Sequence, residues 1–434
     1  MNYLSGSQRS RWGAGRALTG GVLSILDINH RQLYRLPWSA TDNVISWLEP
    51  TKQCNISCDG CYSANVKGSH KSLDQIRADL DVFERFRTTD AVSIAGGDPL
   101  THPQLAEVVG LIAERGLKPI VNTNGVALTP ALLRELAAAG LAGITFHVDS
   151  LQKRPGWVGR TEVELNELRQ RLADLVAEVG GISCAFNATV YEKTLPLVPD
   201  IVAWAQRNPS KVQVVVFIAF RTEDTRFDYY AGRDKIETRK LVYHGGRPER
   251  IDISSREIAD VIQARFPVYR PAAYLNGTER PDSLKWLLSL VVNDGEELLG
   301  SVGPKFVELS QVASHLQRGR YLSYVAPKVM ARARTMLPLA AMDPGLRAVA
   351  RRWGAKLLRR PWRVLRPLHL QSIMIIQPID MTADGRASMC DGCPDMTVHQ
   401  GELVWSCRLE EQLLFRTTLR AVPRQRDMNE TVGE

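Results

Sequence analysis

Between residues 44 and 220, short apolar runs alternate with longer segments in which apolar residues recur every three or four positions. Short apolar runs predict buried strands, and the longer period predicts helices that pack on the sheet through one face. Strand and helix alternation implies a parallel sheet, so we expect an α/β fold, a partial (β/α)6 TIM-type barrel. The six predicted strands are Val44–Leu48, Ala91–Ala95, Pro119–Val121, Gly143–Val148, Ile182–Val190 and Val212–Phe220.

The alternation stops after residue 222, and the rest of the chain is divided by its composition. One helix is predicted over 254–266, and a strand is predicted at Ser372–Ile376. The pattern from 283 to about 365 is helical, and five prolines divide it, because proline ends or begins helices. We expect a lead-in at 1–42, the barrel at 43–222, a polar connection at 223–282, a basic helical region at 283–370 as an insertion, a small C-terminal cysteine-bearing domain at 371–420 and a polar tail at 421–434.

The composition is that of a folded protein that acts inside the cell. Of 434 residues, 44% are apolar and 24% are charged, which is ordinary for globular chains. No uncharged apolar run approaches the roughly 18 residues that a membrane-spanning helix needs. The apolar run at 22–26 is too short for a convincing secretory signal. We therefore expect a cytoplasmic protein.

The net charge of +8 is concentrated in one segment. Between Asp343 and Asp380 there are eight Lys or Arg residues and no acidic residue. Over 345–360 the apolar residues recur at steps of three and four, which predicts a basic amphipathic helix. Such a helix either packs on the barrel with a solvated basic face or contacts an anionic membrane peripherally, through 345–366. Nucleic acid is disfavoured because no recognised binding motif accompanies the charge.

Three cysteines, Cys54, Cys58 and Cys61, follow the first predicted strand with the spacing C-x3-C-x2-C. A hydrophobic core does not require this spacing, and clustered cysteines in a chain without a secretory signal favour metal ligation. Three thiolates can hold three irons of a [4Fe–4S] cube and leave the fourth iron open. A structural zinc ion is the alternative, but it usually takes four ligands, and His70 is the only further candidate nearby.

The cysteine loop, followed one strand later by Gly96-Gly97-Asp98-Pro99, resembles the radical S-adenosylmethionine (SAM) superfamily over about residues 44–220. The resemblance implies a [4Fe–4S] cluster on Cys54, Cys58 and Cys61, whose open iron chelates SAM. It also implies that Gly96, Gly97 and Asp98 form the turn that meets the SAM ammonium group. Asp98 replaces the glutamate that is usual in the family's GGEP turn.

Further SAM contacts are implied at the ends of the fourth and fifth predicted strands. Asp149, Ser150 and Asn187 stand where the family often contacts the ribose and the carboxylate, although turn caps and core polar groups are the alternative. The family usually has an aromatic residue just before the third cysteine, but this chain has Gly60 there. The adenine contact must then come from Tyr62 or from elsewhere. Asn122 and Asn124 are turn-formers by default.

A second cysteine cluster, Cys390, Cys393 and Cys407, has the spacing C-x2-C-x13-C. The stretch 398–404 predicts a hairpin with its turn at Gln400-Gly401, which would return Cys407 to the other two. The cluster resembles the auxiliary domains of twitch or SPASM type, which implies a second [4Fe–4S] cluster. The alternative is a zinc knuckle. For the cluster's fourth ligand we retain the substrate, Asp391, Asp395, His399 and Cys184.

The resemblance thus implies a radical SAM enzyme that cleaves SAM reductively to a 5′-deoxyadenosyl radical and abstracts hydrogen from a substrate held between two clusters. Its electrons would come from a reductant such as flavodoxin or ferredoxin. The basic helical region suggests a lipid-like or phosphorylated substrate. One alternative is a peptide-modifying maturase, and another is a non-catalytic iron–sulfur or zinc scaffold at a membrane surface. No catalytic residue is assigned by the sequence.

Overall fold

The structure is a computed structural model that describes residues 28–58, 60–244 and 250–424. Most of the predicted lead-in and all but the first four residues of the predicted tail lie outside these ranges. The strands are β1 Tyr34–Arg35, β2 Ile45–Thr51, β3 Ala91–Gly96, β4 Lys118–Thr123, β5 Gly143–His147, β6 Ser183–Val190, β7 Val214–Ala219, β8 Phe227–Ala231, β9 Asp234–Ile236, β10 Ala273–Leu275, β11 Trp286–Asn293, β12 Leu298–Ser301, β13 His369–Ile376, β14 Asp380–Met381, β15 Ala387–Ser388, β16 Met396–His399, β17 Glu402–Trp405 and β18 Arg420–Pro423.

The helices follow the strands of the barrel and then dominate the insertion. Short 3₁₀ turns add to them, among them Ala333–Ala341 and Pro361–Leu365. The α-helices are α1 Leu73–Phe86, α2 Leu105–Glu114, α3 Pro130–Ala138, α4 Asn166–Val179, α5 Val198–Arg207, α6 Ser255–Arg265, α7 Pro304–Arg318, α8 Pro327–Met330, α9 Pro344–Arg359 and α10 Leu409–Phe415.

Local sequence explains where the barrel helices begin and which face they bury. Ser72 caps α1 in a capping box with Gln75, so two of its free backbone amides are satisfied. Ile76, Leu80 and Phe83 then lie on one face at helical spacing, and all three are buried. The same scheme of a capped start and one buried face recurs at α3, which begins at Pro130 after Thr129.

Strands β2 to β7 pair in parallel and in chain order, as the alternation predicts. The predicted α/β fold is confirmed: a curved parallel sheet with helices outside it forms a partial TIM-type barrel. The apolar residues on the outer face of the sheet pack against α1 to α6 in the largest core cluster. Because all six strands run the same way, their carboxyl ends share one rim, where ligands of such folds bind.

The sheet has 11 strands, five more than the sequence predicts. β13 pairs in parallel with β7, β11 is antiparallel to β13, and β10 and β12 are both antiparallel to β11. The prediction of helix from residue 283 onward is therefore wrong over β11 and β12. Trp286–Asn293 is an almost continuous apolar run that is buried on both faces, and periodicity cannot separate such a strand from a buried helix.

Other predicted segments also take different roles. The polar connection at 223–282 contains β8, β9 and β10, besides the predicted helix, which is α6. The predicted strand at 372–376 exists as β13, but it belongs to the main sheet and not to the C-terminal domain. The predicted tail begins as β18, which pairs with β8 because its backbone finds a partner 190 residues earlier in the chain. Pairing over such distances leaves no local trace in the sequence.

The helical insertion closes the barrel at the amino ends of the strands. Lys118, at the start of β4, donates to the backbone oxygens of Ser323 and Tyr324 at 3.1 and 3.2 Å. The Tyr324 hydroxyl reaches into the barrel and lies 3.2 Å from Thr145 Oγ1. Leu346 and Val349 of α9 are fully buried in the inner core cluster. The apolar face of the predicted basic helix therefore packs on the barrel and does not face a membrane. Within the described part of the chain, no helix is both long and apolar enough to cross a bilayer.

The second cysteine segment lies at the seam between the two ends of the sheet. β1 at one end is joined to β2 at the other by only nine residues. The backbone N–H of Asp391 donates to the carbonyl of Asn276, just after β10, at 2.9 Å. The amide of Asn43, just before β2, donates to the carbonyl of Gly392 at 3.0 Å. The segment thus bridges both ends of the sheet.

Candidate metal centre

The first cysteine loop follows β2 at the carboxyl rim of the barrel. Asn65 fixes the start of the loop, because its side chain accepts from the backbone N–H of Cys54 and donates to the carbonyl of Cys54, both at 3.0 Å. Burial raises the pKa of Cys54, Cys58 and Cys61 above the ordinary value for a thiol. Neighbouring thiols raise the pKa of Cys58 and Cys61 further. The three thiols therefore lie on one partly buried loop, close enough for Cys54 to influence both Cys58 and Cys61.

The donor set fits an iron–sulfur cluster better than a single ion. Thiolates are the ligands of such clusters, and three of them leave one iron open. Among the described residues, no three His, Cys, Asp or Glu side chains converge closely enough to hold one metal ion. A four-iron cube spaces its thiolates around a larger body than a zinc ion does, so separated thiols on one loop agree with a cube.

The turn at Gly96-Gly97 lies directly against the strand that leads into the cysteine loop. The N–H of Gly97 donates to the carbonyl of Thr51, and the N–H of Asp98 donates to that of Gln53, both at 2.8 Å. A Cβ at either glycine would stand 2.3 Å from one of these two carbonyl oxygens. Only glycine allows this approach, so the pair positions the turn beside the cysteines.

The Asp98 carboxylate fastens this turn to the end of β4. It accepts from the N–H of Leu100 at 2.9 Å, from Thr123 Oγ1 at 2.9 Å and from the N–H of Asn124 at 2.8 Å. Burial raises the pKa of Asp98, although these hydrogen bonds oppose the rise. Since its oxygens are occupied by the protein, Asp98 supports the turn through its side chain and offers a ligand only its backbone.

Asn124, which the sequence presents as a turn-former, reaches the cysteine loop. Its amide nitrogen lies 3.6 Å from Cys54 Sγ and donates to Asn55 Oδ1 at 2.7 Å. An amide hydrogen beside a sulfur stabilises the thiolate form, so Asn124 supports ligation by Cys54. Asn122 contacts the carbonyl of Ile94 instead, at 3.5 Å.

The residues predicted at the ends of β5 and β6 form a hydrogen-bonded group on the rim. Asp149 Oδ2 lies 2.9 Å from His147 Nε2, which is also 3.0 Å from Thr189 Oγ1. Burial alone would raise the pKa of Asp149, but the hydrogen bond and the charge of His147 hold it below its usual value. Ser150 donates its N–H to Glu162 at 2.6 Å. Asn187 pairs with His147 in the ladder, and its buried Oδ1 has no partner among the described residues.

Arg154 is a basic residue of this rim that sequence reasoning missed. Its guanidinium donates to the carbonyl of His147 at 3.1 Å, and its buried Nε meets no acceptor in the described part of the chain. Burial lowers the pKa of Arg154, while the charges of Cys58, Asp149 and Asp98 oppose that effect. Cys58 pairs with Gln152 in an isolated bridge, which brings the arginine loop to the cysteine loop. An arginine spaced 93 residues from the third cysteine carries no motif that would reveal it.

The aromatic ring beside Gly60 belongs to Phe220, not to Tyr62. A Cβ built on Gly60 would stand 2.5 Å from Phe220 Cε2, and its three nearest atoms all belong to that ring. Phe220 follows β7 and packs on Tyr191 with ring centroids 4.8 Å apart. Tyr62 instead lies near Glu49 and Asp395, which both raise its pKa alongside burial. Phe220 is therefore the aromatic residue that the structure places beside Gly60, while the adenine contact of Tyr62 stays a prediction.

The predicted hairpin brings the second set of cysteines together. β16 and β17 pair antiparallel, and the turn residues Gln400 and Gly401 both have positive φ, 52° and 80°. A two-residue turn of this kind matches the twist of a hairpin. Met396 is paired with Trp405, so Cys407 returns toward Cys393. A hydrogen bond between the Cys390 and Cys393 side chains lowers the pKa of Cys390. Burial raises the pKa of Cys407 to about 12.

Asp395 is a carboxylate close enough to all three of these thiols to change their pKa values. Its charge raises the pKa of Cys390, Cys393 and Cys407. The other retained candidates lie elsewhere. Asp391 pairs with Arg35, His399 adjoins the far turn of the hairpin, and Cys184 is fully buried in the outer core. Arg87 closes the group by donating to the carbonyl of Cys393 at 2.5 Å.

Two buried carboxyl groups lie between the two cysteine sites, and sequence reasoning missed Glu49 altogether. Glu49 lies on the inner face of β2 together with Ile45 and Trp47, because every second residue of a strand points to the same side. Neither of its oxygens has a hydrogen-bond partner among the described residues. Burial raises the pKa of Glu49 to about 7, against the opposing charges of Lys52 and Lys71, and burial also raises that of Asp395 to about 7.

Comparison with known proteins agrees with this geometry over β2 to β6, five of the six parallel strands of the barrel. Residues 48–191 match the family model of the Radical SAM superfamily. The AdoMet-dependent heme synthase of Methanosarcina barkeri is 27% identical over 173 residues, which cover 37% of this chain and 48% of that protein. The mycofactocin maturase MftC of Mycobacterium tuberculosis is 30% identical over 107 residues, which cover 24% of this chain and 27% of that protein.

Among solved structures, Streptococcus suis SuiB bound to S-adenosylmethionine covers 46% of this chain and 44% of its own, at 17% identity and a TM-score of 0.34. The chain spans less than half the length of the two curated relatives named above. With the parallel sheet and the cysteine loop, the family match makes residues 48–191 similar to the Radical SAM superfamily, a superfamily of enzymes that implies SAM and a [4Fe–4S] cluster. The match ends before Cys390 and does not bear on the second cysteine site.

Proposed function

We propose that this protein is a radical SAM enzyme whose SAM-binding [4Fe–4S] cluster is held by Cys54, Cys58 and Cys61. The observation that carries the proposal is the set of three thiols on one loop, with the Gly96-Gly97 turn packed against its base. When bound, the cluster supplies one electron that cleaves SAM to a 5′-deoxyadenosyl radical, which abstracts hydrogen from the substrate.

The residues around this loop have separate tasks in binding SAM. Arg154 offers a buried guanidinium beside Cys58, which suits the SAM carboxylate because a cation with a free N–H pairs strongly with an anion. The backbone of Gly96 and Gly97 meets the ammonium group. Asp149, held by His147, and Ser150 and Asn187 offer polar atoms to the ribose and the carboxylate. Phe220 takes the place of the missing aromatic beside Gly60 and stacks on adenine.

We propose a second [4Fe–4S] cluster on Cys390, Cys393 and Cys407, with Asp395 or the substrate at the remaining iron. The return of Cys407 along the hairpin and the shared effect of Asp395 on all three thiols support this assignment. An electron donor of flavodoxin or ferredoxin type supplies the first cluster. Lys52, before the first cysteine, forms an ion pair with Glu410, after the last one. This ion pair joins the two cysteine segments.

Two substrate classes compete: a lipid-like or phosphorylated molecule, and a peptide. The idea of a lipid-like or phosphorylated substrate rested on the apolar and basic residues of the insertion, but these apolar residues close the bottom of the barrel. The peptide-modifying alternative gains support from the similarity to a mycofactocin maturase. Deuterium transfer into 5′-deoxyadenosine separates them, because the radical takes a hydrogen atom from the substrate. A peptide substrate gives labelled 5′-deoxyadenosine only with deuterated peptide, and a lipid substrate only with deuterated lipid extract.

Anaerobic reconstitution tests the enzyme proposal. Reduced protein with SAM is expected to release 5′-deoxyadenosine, and Cys54→Ala, Cys58→Ala or Cys61→Ala is expected to abolish it. Cys184→Ala is the matched control, since this cysteine lies in the outer core, away from both sites. Full iron loading without 5′-deoxyadenosine would overturn the proposal. The alternative of a non-catalytic scaffold at a membrane surface would then be favoured.

Iron counting tests the second cluster separately. Two cubes give about eight irons per chain, and one gives about four. The Cys390→Ala, Cys393→Ala double variant is expected to retain about four irons and the low-temperature electron paramagnetic resonance signal of the first cluster. A value that stays near eight would contradict the second cluster, whereas stoichiometric zinc in the untreated protein would assign the site to zinc.

A further inference from the structure

The largest group of solvent-exposed apolar side chains lies in the helical insertion. Of the sixteen large apolar residues that are exposed in the described part of the chain, nine lie between Leu309 and Leu365. Four of them form one short surface segment at the end of α9 and in the 3₁₀ turn after it, here called the 358–365 patch. Its members, with their exposed fractions, are Leu358 (89%), Trp362 (64%), Val364 (46%) and Leu365 (84%).

The 358–365 patch is held outward by buried ion pairs beneath it. Arg363, in the middle of the patch, is only 6% exposed and pairs with Asp294 and Glu296 on the turn between β11 and β12. Lys356, in the last turn of α9, pairs with Asp294 and with Glu297. The side chains on either side of Arg363 therefore point away from this anchor and toward solvent in a fixed backbone conformation.

The basic residues of the segment divide into two groups. Five of the eight are occupied within the protein: Lys356, Arg363 and Arg366 by acidic residues, and Arg347 and Arg352 by backbone carbonyls. Arg351, Arg359 and Arg360 are exposed, and their side chains make no hydrogen bond or ion pair with a described residue. Arg359 and Arg360 lie between Leu358 and Trp362 in the chain. The structure thus pairs free positive charge with exposed apolar groups at one place.

We propose that the 358–365 patch docks the protein on an anionic lipid bilayer. Leu358, Trp362 and Leu365 enter the interface between headgroups and acyl chains, where tryptophan and leucine are favoured. Arg359, Arg360 and Arg351 contact anionic headgroups, which attract arginines near the surface. No acidic residue lies between Asp343 and Asp380 in the sequence. The three acidic residues of the turn beneath the patch, Asp294, Glu296 and Glu297, are paired with Lys356, Arg363 and Arg366, which offsets their repulsion of such a surface. This docking does not depend on the proposed reaction.

The docking site is a narrower part of the 345–366 segment that the sequence suggests. The amphipathic pattern of 345–360 points to the apolar stripe of α9, but that stripe packs on β12. Within the 345–366 segment, the apolar side chains that remain available to a membrane are therefore those at the end of the helix and in the turn that follows. This placement leaves the carboxyl rim with its cysteines, at the opposite end of the barrel from the insertion, open to solvent.

Vesicle co-sedimentation of the full chain tests the proposal. Wild-type protein is expected to bind vesicles of phosphatidylcholine with phosphatidylglycerol and not vesicles of phosphatidylcholine alone, at physiological salt. The variant Arg351→Gln, Arg359→Gln, Arg360→Gln is expected to bind about a hundredfold more weakly. The variant Trp362→Ala, Leu365→Ala is expected to bind about tenfold more weakly.

A charge-matched control separates a local site from general attraction. Lys193→Gln, Arg207→Gln, Arg233→Gln removes three exposed cations elsewhere and leaves the patch intact. If this control loses as much binding as the arginine variant, or if wild type does not bind anionic vesicles, the proposal is overturned. Dimerisation in light scattering that Trp362→Ala abolishes would likewise overturn it, because the patch would then be a contact between two copies. Circular dichroism confirms folding of each surface variant.

Discussion

The backbone N–H of Ala64 donates a 3.0 Å hydrogen bond to Glu410 Oε1. Ala64 lies three residues after Cys61, and Glu410 lies three residues after Cys407, so one carboxylate joins the two cysteine segments across 346 positions of sequence. The same oxygen receives the ammonium group of Lys52, which precedes Cys54. The two candidate metal centres are therefore parts of one connected structure.

Replacing Glu410 is expected to uncouple the two segments. Glu410→Ala leaves the N–H of Ala64 and the largely buried ammonium of Lys52 without their acceptor, which costs about 2 kcal/mol of unfolding free energy. Urea denaturation of the reduced apoprotein measures this loss. Glu402→Ala, at an exposed position of the hairpin, is the control and is expected to change stability by less than about 0.5 kcal/mol. Equal losses in both variants would contradict the role of Glu410.

Asp98→Asn is expected to weaken the Gly96-Gly97 turn. Each oxygen of Asp98 accepts from a backbone N–H, either that of Leu100 or that of Asn124. Whichever oxygen becomes an NH₂ group, one backbone donor then faces another donor, at a cost of about 1–3 kcal/mol. Thermal unfolding measures the change. Asp234→Asn on exposed β9 is the control, and a wild-type melting temperature in Asp98→Asn would show that the carboxylate is not needed.

Gly60→Ala is expected to destabilise the protein through two separable causes. Gly60 has a φ of 72°, and its Cβ would also collide with Phe220. Gly68→Ala is the matched control, because Gly68 has a φ of 69° with no atom within 4 Å of its Cβ. The control isolates the conformational cost, about 1 kcal/mol. Gly60→Ala should exceed it, and the excess should vanish in a Phe220→Ala background, as a double-mutant cycle in urea denaturation would measure.

Glu49→Gln is expected to stabilise the apoprotein at high pH and not at low pH. The pKa of Glu49 is raised by burial from 4.5 to about 7, so folding favours the protonated form. The native state is therefore unpenalised below about pH 4.5 and loses stability as the pH rises through 7. The neutral amide avoids this loss, a gain of up to about 3 kcal/mol above pH 7 at 1.36 kcal/mol for each pH unit.

Denaturation of the Glu49 variant from pH 5 to pH 8.5 checks this expectation. Glu135→Gln, an exposed position on α3, is the control and should parallel wild type at every pH. A constant difference between Glu49→Gln and wild type over the whole range would mean that the Glu49 carboxyl is equally ionised in the folded and the unfolded protein, so that burial does not raise its pKa.

Local patterns in the sequence predict the six parallel strands because each is a short apolar run ended by turn residues. They also predict the hairpin after Cys393, since Gln400-Gly401 interrupts an alternating pattern. The strands β10 to β12 are not predicted, because a run such as Trp286–Asn293 reads equally as a buried helix. Their place in the sheet depends on pairing with β13, which is distant in the chain.

The candidate site divides in the same way. The cysteines and the Gly96-Gly97 turn are visible because their spacing is itself the signal. Arg154, Phe220 and Glu49 are not, since each is an ordinary residue that becomes notable only when folding brings it beside the cysteines. Tyr62 illustrates the converse: its adjacency in sequence to Cys61 suggests an adenine contact, while the aromatic ring that packs against Gly60 comes from Phe220, distant in the chain.

The position of β13 has a consequence for how the chain folds during synthesis. β7 is complete by residue 219, yet its outer edge is covered only by β13, which ends at residue 376. A ribosome adds about 5–20 residues per second, so Val214–Ala219 presents an unpaired apolar edge for roughly 10–30 seconds. Such an edge is a template for wrong pairing with another nascent chain. A fragment cut after the sixth parallel strand would keep this edge permanently, and insoluble expression of that fragment is the expected result.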